Sequence, residues 1–273
     1  MRTLHNFLSI VLSIGLFTSC GNDWLDLEPS TQIPTETSIK SLSDIDYSLN
    51  AIYATMRNAY AYSGRLIYYG DVTGDDMQAV QSTCRTAHYY QMDWLPANGP
   101  STHWSYLYSI IQNCNVILDG IDNIEILPND EDEHIFRNDL EGQALAIRGL
   151  ALFDLTRFFG YTYLKDNGAS LGVPIITSAS ATADSKPSRN TVAECYDQII
   201  KDLKNADSLM IPTYSWSGYH VSRPTHRAHS MCIFVYGAVT LYRAPFQTLP
   251  LTHTLIQALG SSPFARRYWG NLG

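Results

Sequence analysis

The chain has 273 residues, 45% hydrophobic and 16% charged, with a formal net charge of −8. That supplies apolar material for one or two domains with a real core and excludes general disorder. The charge is uneven: up to Asp207 there are 26 acidic against 13 basic residues, net −13, and the 66 residues beyond hold five arginines and no acid or lysine. An acidic body repels phosphate backbones, which argues against nucleic acid as a partner.

The chain opens with Arg2, an apolar run from Phe7 to Phe17, and then Thr18-Ser19-Cys20. The run is roughly half of the ~20 residues a membrane-spanning helix needs, so it suits an export signal and not an anchor. Small residues directly before a cysteine form a bacterial lipobox, which predicts removal of residues 1–19 and acylation of Cys20. Each buried CH₂ contributes about 0.8 kcal/mol, so one acyl chain holds marginally and two or more hold stably. The polar, proline-containing residues 20–37 then read as a spacer between the bilayer and a folded body.

Beyond the spacer, the apolar spacing predicts helices and almost no strands. Ile45, Leu49, Ile52, Tyr53 and Met56 follow the start signal SLSD and place a first helix from about Ser43 to Ala59. Trp104, Tyr108, Ile111, Asn115 and Leu118 are spaced 4, 3, 4 and 3, a single stripe on a second helix. Asn115 in that stripe is expected to bond a neighbouring backbone group. A third, long helix spans about Asp132 to Phe159, with the acids of residues 130–133 at its solvated start and Gly160 at its stop. Gly142, Ala144, Ala146, Gly149 and Ala151 give it small side chains that let another helix approach closely. A fourth opens with the capping box TVAE, Thr191 to Glu194, and carries Cys195, Tyr196, Ile199, Ile200, Leu203, Ala206 and Leu209. The connection between the last two contains one candidate strand, Val173 to Ile176.

Cys84, Cys114, Cys195 and Cys232 show no C-x-x-C spacing, and Cys114 and Cys195 fall on apolar helix faces as small hydrophobes. Asp71, Asp75 and Asp76 lack the register of a calcium loop, so a turn with hydrogen-bonded carboxylates is expected there. His220, His226 and His229 lack supporting acids or thiols, and no metal or cofactor is expected.

Five separated stretches, in order, resemble the SusD/RagB family of outer-membrane nutrient-uptake lipoproteins. They are CGNDWLDLEP at 20–29, the Trp104, Tyr108, Ile111, Asn115 pattern, LEGQALAIRGLALFDLTRFFG at 140–160, LGVP at 171–174, and R-x-TVAECYDQIIKDL from Arg189 to Leu203. The resemblance implies a mainly α-helical, SusD-like fold with tetratricopeptide-like helix pairs and long loops, here over residues 38–236. It further implies a non-catalytic protein held on the outer face of the outer membrane by the lipid on Cys20, with Asp23 and Asp26 as the export signal. Such proteins cap a SusC-type TonB-dependent channel and hand over oligosaccharides or, in RagB-type members, peptides. Family members are longer, and the pattern fails after about residue 236, where Phe234 already stands in place of an expected Arg. Residues 237–273 therefore read as an atypical tail from a frameshift or truncation, with a non-functional product and marginal stability as the alternative expectation.

Tyrosines cluster off the helix stripes at 57–71, 88–94 and 213–220. Aromatic faces pack on sugar rings, and Tyr89, Tyr90 and Trp94 are the candidate ligand contacts. A glycosidase would need two carboxylates held across a sugar bond, and the helical pattern offers no cleft-forming barrel for them. A peptide-binding helical scaffold remains open beside the glycan reading.

Overall fold

The structure, a computed structural model, describes residues 39–74, 77–80, 87–92, 101–180 and 186–210, together with Val235 and Ala238. All belong to one compact unit, Ile39–Gly273; the other unit, Met1–Ser38, lies outside the described residues, as do Cys20, Cys84, Trp94, Cys232, the three histidines at 220–229 and all of the tail except Ala238. Val235 is fully buried, and Ala238 packs against the same core.

The first helix, α1, runs Leu42–Met56. Ser41 caps it: its hydroxyl accepts from the Asp44 N–H at 3.3 Å, and the Asp44 carboxylate accepts from the Ser41 N–H at 2.9 Å. Ile45, Leu49 and Ile52 form its buried face. It ends three residues before the expected Ala59 because the Asn58 side chain accepts from the Tyr60 N–H at 2.9 Å, a local bond that competes with the helix.

Helix α2, Arg65–Thr73, stands where the tyrosine-rich stretch had been expected to fall outside helices. Leu66 and Val72 are buried and Tyr69 is half-buried between them, a helical stripe two aliphatic residues wide. A four-residue helix α3, Ala87–Tyr90, follows. Helix α4, Ser101–Ile121, buries Leu107, Ile110, Ile111, Cys114, Ile117 and Ile121. Helix α5, Glu131–Phe159, starts at Asp130, whose carboxylate accepts from the Glu133 N–H at 3.0 Å. It is buried almost continuously from Leu140 to Thr156 and packs against α1, α4 and the last helix, Val192–Leu209. Helix α6, Val192–Leu209, starts with the expected capping box of Thr191 and Glu194.

The small residues of α5 do what their size allows. A Cβ at Gly142 would lie 2.6 Å from Met210 Cγ, and one at Gly149 would lie 3.2 Å from Leu203 Cδ2, so α6 packs directly on the backbone of α5. Cys114 and Cys195 are free, buried thiols, and burial pushes the Cys114 thiol up to about 12.

No strand occurs among the described residues. The expected strand at 173–176 is reduced to one antiparallel bridge, Leu171 with Thr191, flanked by Gly172 N–H to Asn190 O at 2.7 Å and Asn190 N–H to Val173 O at 3.2 Å. Pro174 has no N–H to continue such a ladder, and α4 takes up the next carbonyls instead. Tyr108 donates to Pro174 O at 2.7 Å, Asn115 to Ile176 O at 3.0 Å and Gln112 to Ala179 O at 2.7 Å. Asp119 accepts from the Ala179 N–H at 2.7 Å. Positions 108, 112, 115 and 119 share one face of α4, which therefore straps an extended segment along its length. The expectation that Asn115 serves a backbone group holds.

Candidate functional site

The turn between α1 and α2 carries Tyr60 and is fastened from below. Tyr62 donates to one oxygen of the buried Asp154 at 2.9 Å, and Arg157 donates to the other at 2.7 Å. Burial raises the Asp154 carboxyl above its usual range, against the opposing pull of Arg157 and Tyr62. With Tyr62 held, Tyr60 projects to the surface, 38% exposed, and stacks on Tyr106 of α4 with ring centroids 5.8 Å apart and planes 18° from parallel. The Arg65 guanidinium carbon lies 4.1 Å from the centre of the Tyr60 ring, a cation–π contact worth about 0.5–1 kcal/mol at a partly exposed site.

Burial raises the Tyr89 hydroxyl above its usual range and the nearby charge of Arg65 opposes this, so the surface adjoins a second aromatic layer beneath it. Tyr89 is only 3% exposed. Tyr69 meets it edge-on at 5.4 Å, meets Phe158 edge-on at 5.3 Å and meets His103 edge-on at 5.5 Å. His103 lies 6.3 Å from Tyr89 and 6.0 Å from Phe158 and is fully buried. Neither of its ring nitrogens has a hydrogen-bond partner among the described residues. Burial, and then the charge of Arg65, hold its pKa below 6.5, so the ring is neutral at pH 7.

Of the predicted contacts, Tyr90 is at the surface, 36% exposed, on the last turn of α3. Tyr89 beside it is a packing residue whose ring supports the surface from behind. Trp94 lies outside the described residues. The chain leaves α3 through Met92, whose φ of 51° is a left-handed conformation that costs a non-glycine residue about 1–2 kcal/mol. Its N–H bonds Tyr89 O at 3.3 Å. Sequence reasoning did not single out Tyr106 or Arg65. Tyr106 sits two residues from both Trp104 and Tyr108, off the buried stripe of α4, and that offset is the signal that it faces elsewhere.

The acidic stretch 70–76 does not form the expected turn throughout: Gly70 to Thr73 end helix α2 and Asp71 is exposed, while Asp75 and Asp76 lie outside the described residues. No group of His, Cys, Asp or Glu suited to a metal occurs among the described residues. No helix among them is long and apolar enough to cross a membrane.

The helical body thus carries a stacked tyrosine pair beside an arginine at its surface. This chain belongs to the SusD family: the family described as SusD-like, starch-binding and associating with the outer membrane matches residues 23–233. Among solved structures, one from Bacteroides vulgatus ATCC 8482, classed with sugar-binding proteins, is 54% identical with a TM-score of 0.68, over 82% of this chain and 47% of its own. A SusD superfamily protein of Bacteroides thetaiotaomicron VPI-5482 is 28% identical with a TM-score of 0.64, over 81% and 46%. Another from Bacteroides vulgatus ATCC 8482 is 30% identical with a TM-score of 0.64, over 80% and 47%. The chain spans about half the length of these relatives. No curated protein matches it.

Proposed function

We propose that this protein is a surface-exposed, lipid-anchored glycan-binding protein, not an enzyme, that delivers oligosaccharides to a SusC-type TonB-dependent channel. The observation that carries the reading is the stacked Tyr60–Tyr106 pair, open to solvent on Tyr60. Flat rings offer an apolar face to sugar C–H groups, and hydroxyls at their edges bond sugar oxygens. The family's description as starch-binding and outer-membrane-associated, and the 54% identical relative classed with sugar-binding proteins, support it.

In this reading residues 1–19 are removed, Cys20 is acylated, and residues 20–37 tether the helical body to the outer membrane. The helical domain runs from 38 to 236, and residues 237–273 form an atypical tail. Labelled palmitate entering the full chain, and absent from Cys20→Ser, tests the anchor. Recovery of a TonB-dependent barrel with the chain after detergent extraction tests the partner. Glycan and peptide arrays probed with Cys20→Ser test the ligand: retention of glycans is expected, and capture of peptides without any glycan would replace this reading with a RagB-type peptide scaffold.

A further inference from the structure

We propose that Arg65 makes this surface selective for sugars that carry a carboxylate, that is, for glycans with a uronic-acid residue at the bound end. The inference rests on the glycan-binding reading above and narrows it.

Arg65 is half-buried and laid over the Tyr60 ring, with Tyr89 close enough to feel its charge, so its guanidinium is restricted in direction before any ligand arrives. Among the described residues no carboxylate pairs with it, although Arg137, Arg148 and Arg157 each have one. The residue also stands at the first position of α2, where the helix dipole disfavours a cation, and the first turn contains no acid to offset it. A positive charge is therefore held at the edge of an aromatic surface, against local preference and without a carboxylate partner among the described residues.

The backbone at the same place is not the recognising group. The N–H groups of Arg65, Leu66 and Ile67 bond the carbonyls of Ala59, Ala61 and Gly64 at 2.9, 3.3 and 2.9 Å. Recognition of an anion falls to the side chain, whose planar fork matches a carboxylate in a way that no neutral hydroxymethyl group can. The ring of a uronic acid can lie on tyrosine while its carboxylate reaches the guanidinium.

The acidic body sets a limit on the ligand. A net charge of −13 over residues 1–207 repels a densely charged polymer. Exposed charges farther than about 8 Å are largely screened at physiological salt, and Asp71 on the same helix is about 9 Å along its axis from Arg65. One carboxylate at the site is thus favoured, and a polyanion is not.

The test is titration calorimetry of the full chain in detergent with pairs of disaccharides, gluco and galacto, that differ only in a terminal C6 carboxylate or hydroxymethyl. The acid form is expected to bind about tenfold more tightly at low salt, the size of one charge-assisted bond. Added salt should shrink that preference, Arg65→Gln should abolish it, and Arg65→Lys should keep part of it. Thermal melts of both variants establish that they fold, and the Lys variant serves if the Gln variant does not. Equal binding of acid and neutral sugars, or an unchanged preference in Arg65→Gln, overturns the carboxylate proposal and leaves the glycan reading standing. Binding of neither sugar, with peptides captured instead, overturns both.

Discussion

Arg148 of α5 and Asp202 of α6 meet in a two-pronged ion pair, Nε to Oδ2 at 2.8 Å and Nη2 to Oδ1 at 2.7 Å, with both residues buried. The remaining groups are also bonded: Arg148 Nη1 donates to Asn115 Oδ1 at 3.0 Å, and Gln198 donates to Asp202 Oδ1 at 2.8 Å. Through Asn115 the network continues to the carbonyl of Ile176, so it joins α4, α5, α6 and the strapped segment. Removing one charge strands the other in a medium that cannot solvate it. Arg148→Met and Asp202→Leu alone should each cost about 3–5 kcal/mol, and the double variant should cost much less than their sum. Urea denaturation of the four proteins in a double-mutant cycle measures this; additive losses would show that the pair is not coupled.

The α5–α6 contact depends on missing side chains. At Gly142 an added Cβ would meet Met210 Cγ at 2.6 Å and the Ala206 carbonyl oxygen at 3.2 Å, so Gly142→Leu must push the helices apart. It should destabilise the protein by at least about 1–3 kcal/mol. Gly70 in α2 has nothing within 4 Å of that position, and Gly70→Ala should stabilise by about 0.5–1 kcal/mol. Denaturation midpoints moving in opposite directions for the two variants would bear this out.

His103 makes stability depend on pH with a definite sign. Its folded pKa is below 6.5, so as pH falls through 6.5 the unfolded chain takes up a proton that the native ring refuses. The native state therefore loses stability on acidification until its own ring protonates. The groups facing the ring are Tyr69, Tyr89, Phe158 and the charge of Arg65. His103→Phe keeps an aromatic ring and removes two buried nitrogens, and should be level with or above the parent by about 1–2 kcal/mol at pH 7. The stability difference between variant and parent should widen from pH 7 to pH 5; a constant difference would mean that His103 does not titrate in this way.

The helices were legible to the extent that short-range chemistry specifies them. Ser41–Asp44 and Thr191–Glu194 announced two starts through capping residues three apart, and the stripe of α4 was visible from Trp104 to Leu118. Helix α2 was missed because its buried face rests on Leu66 and Val72 with a tyrosine between them. The 173–176 segment has strand-like composition, but its fate was decided by Tyr108, Gln112 and Asn115, more than sixty residues away. The same holds for the site. Nothing in the spacing of Tyr60, Arg65 and Tyr106 indicates that residues over forty positions apart stack, and Tyr89 looked like a surface residue because its partners Tyr69 and His103 come from two other elements.

The function proposed above requires the tyrosine surface to bind glycan. The most direct measurement is calorimetric affinity for a glycan retained on the array, compared between the parent and Tyr60→Ala/Tyr106→Ala, with circular dichroism confirming that both are equally helical. Loss of the stacked pair should weaken binding by about tenfold or more, in line with about 0.5–1.5 kcal/mol for each aromatic contact beyond its buried area. Undiminished glycan affinity in the double variant would contradict the account.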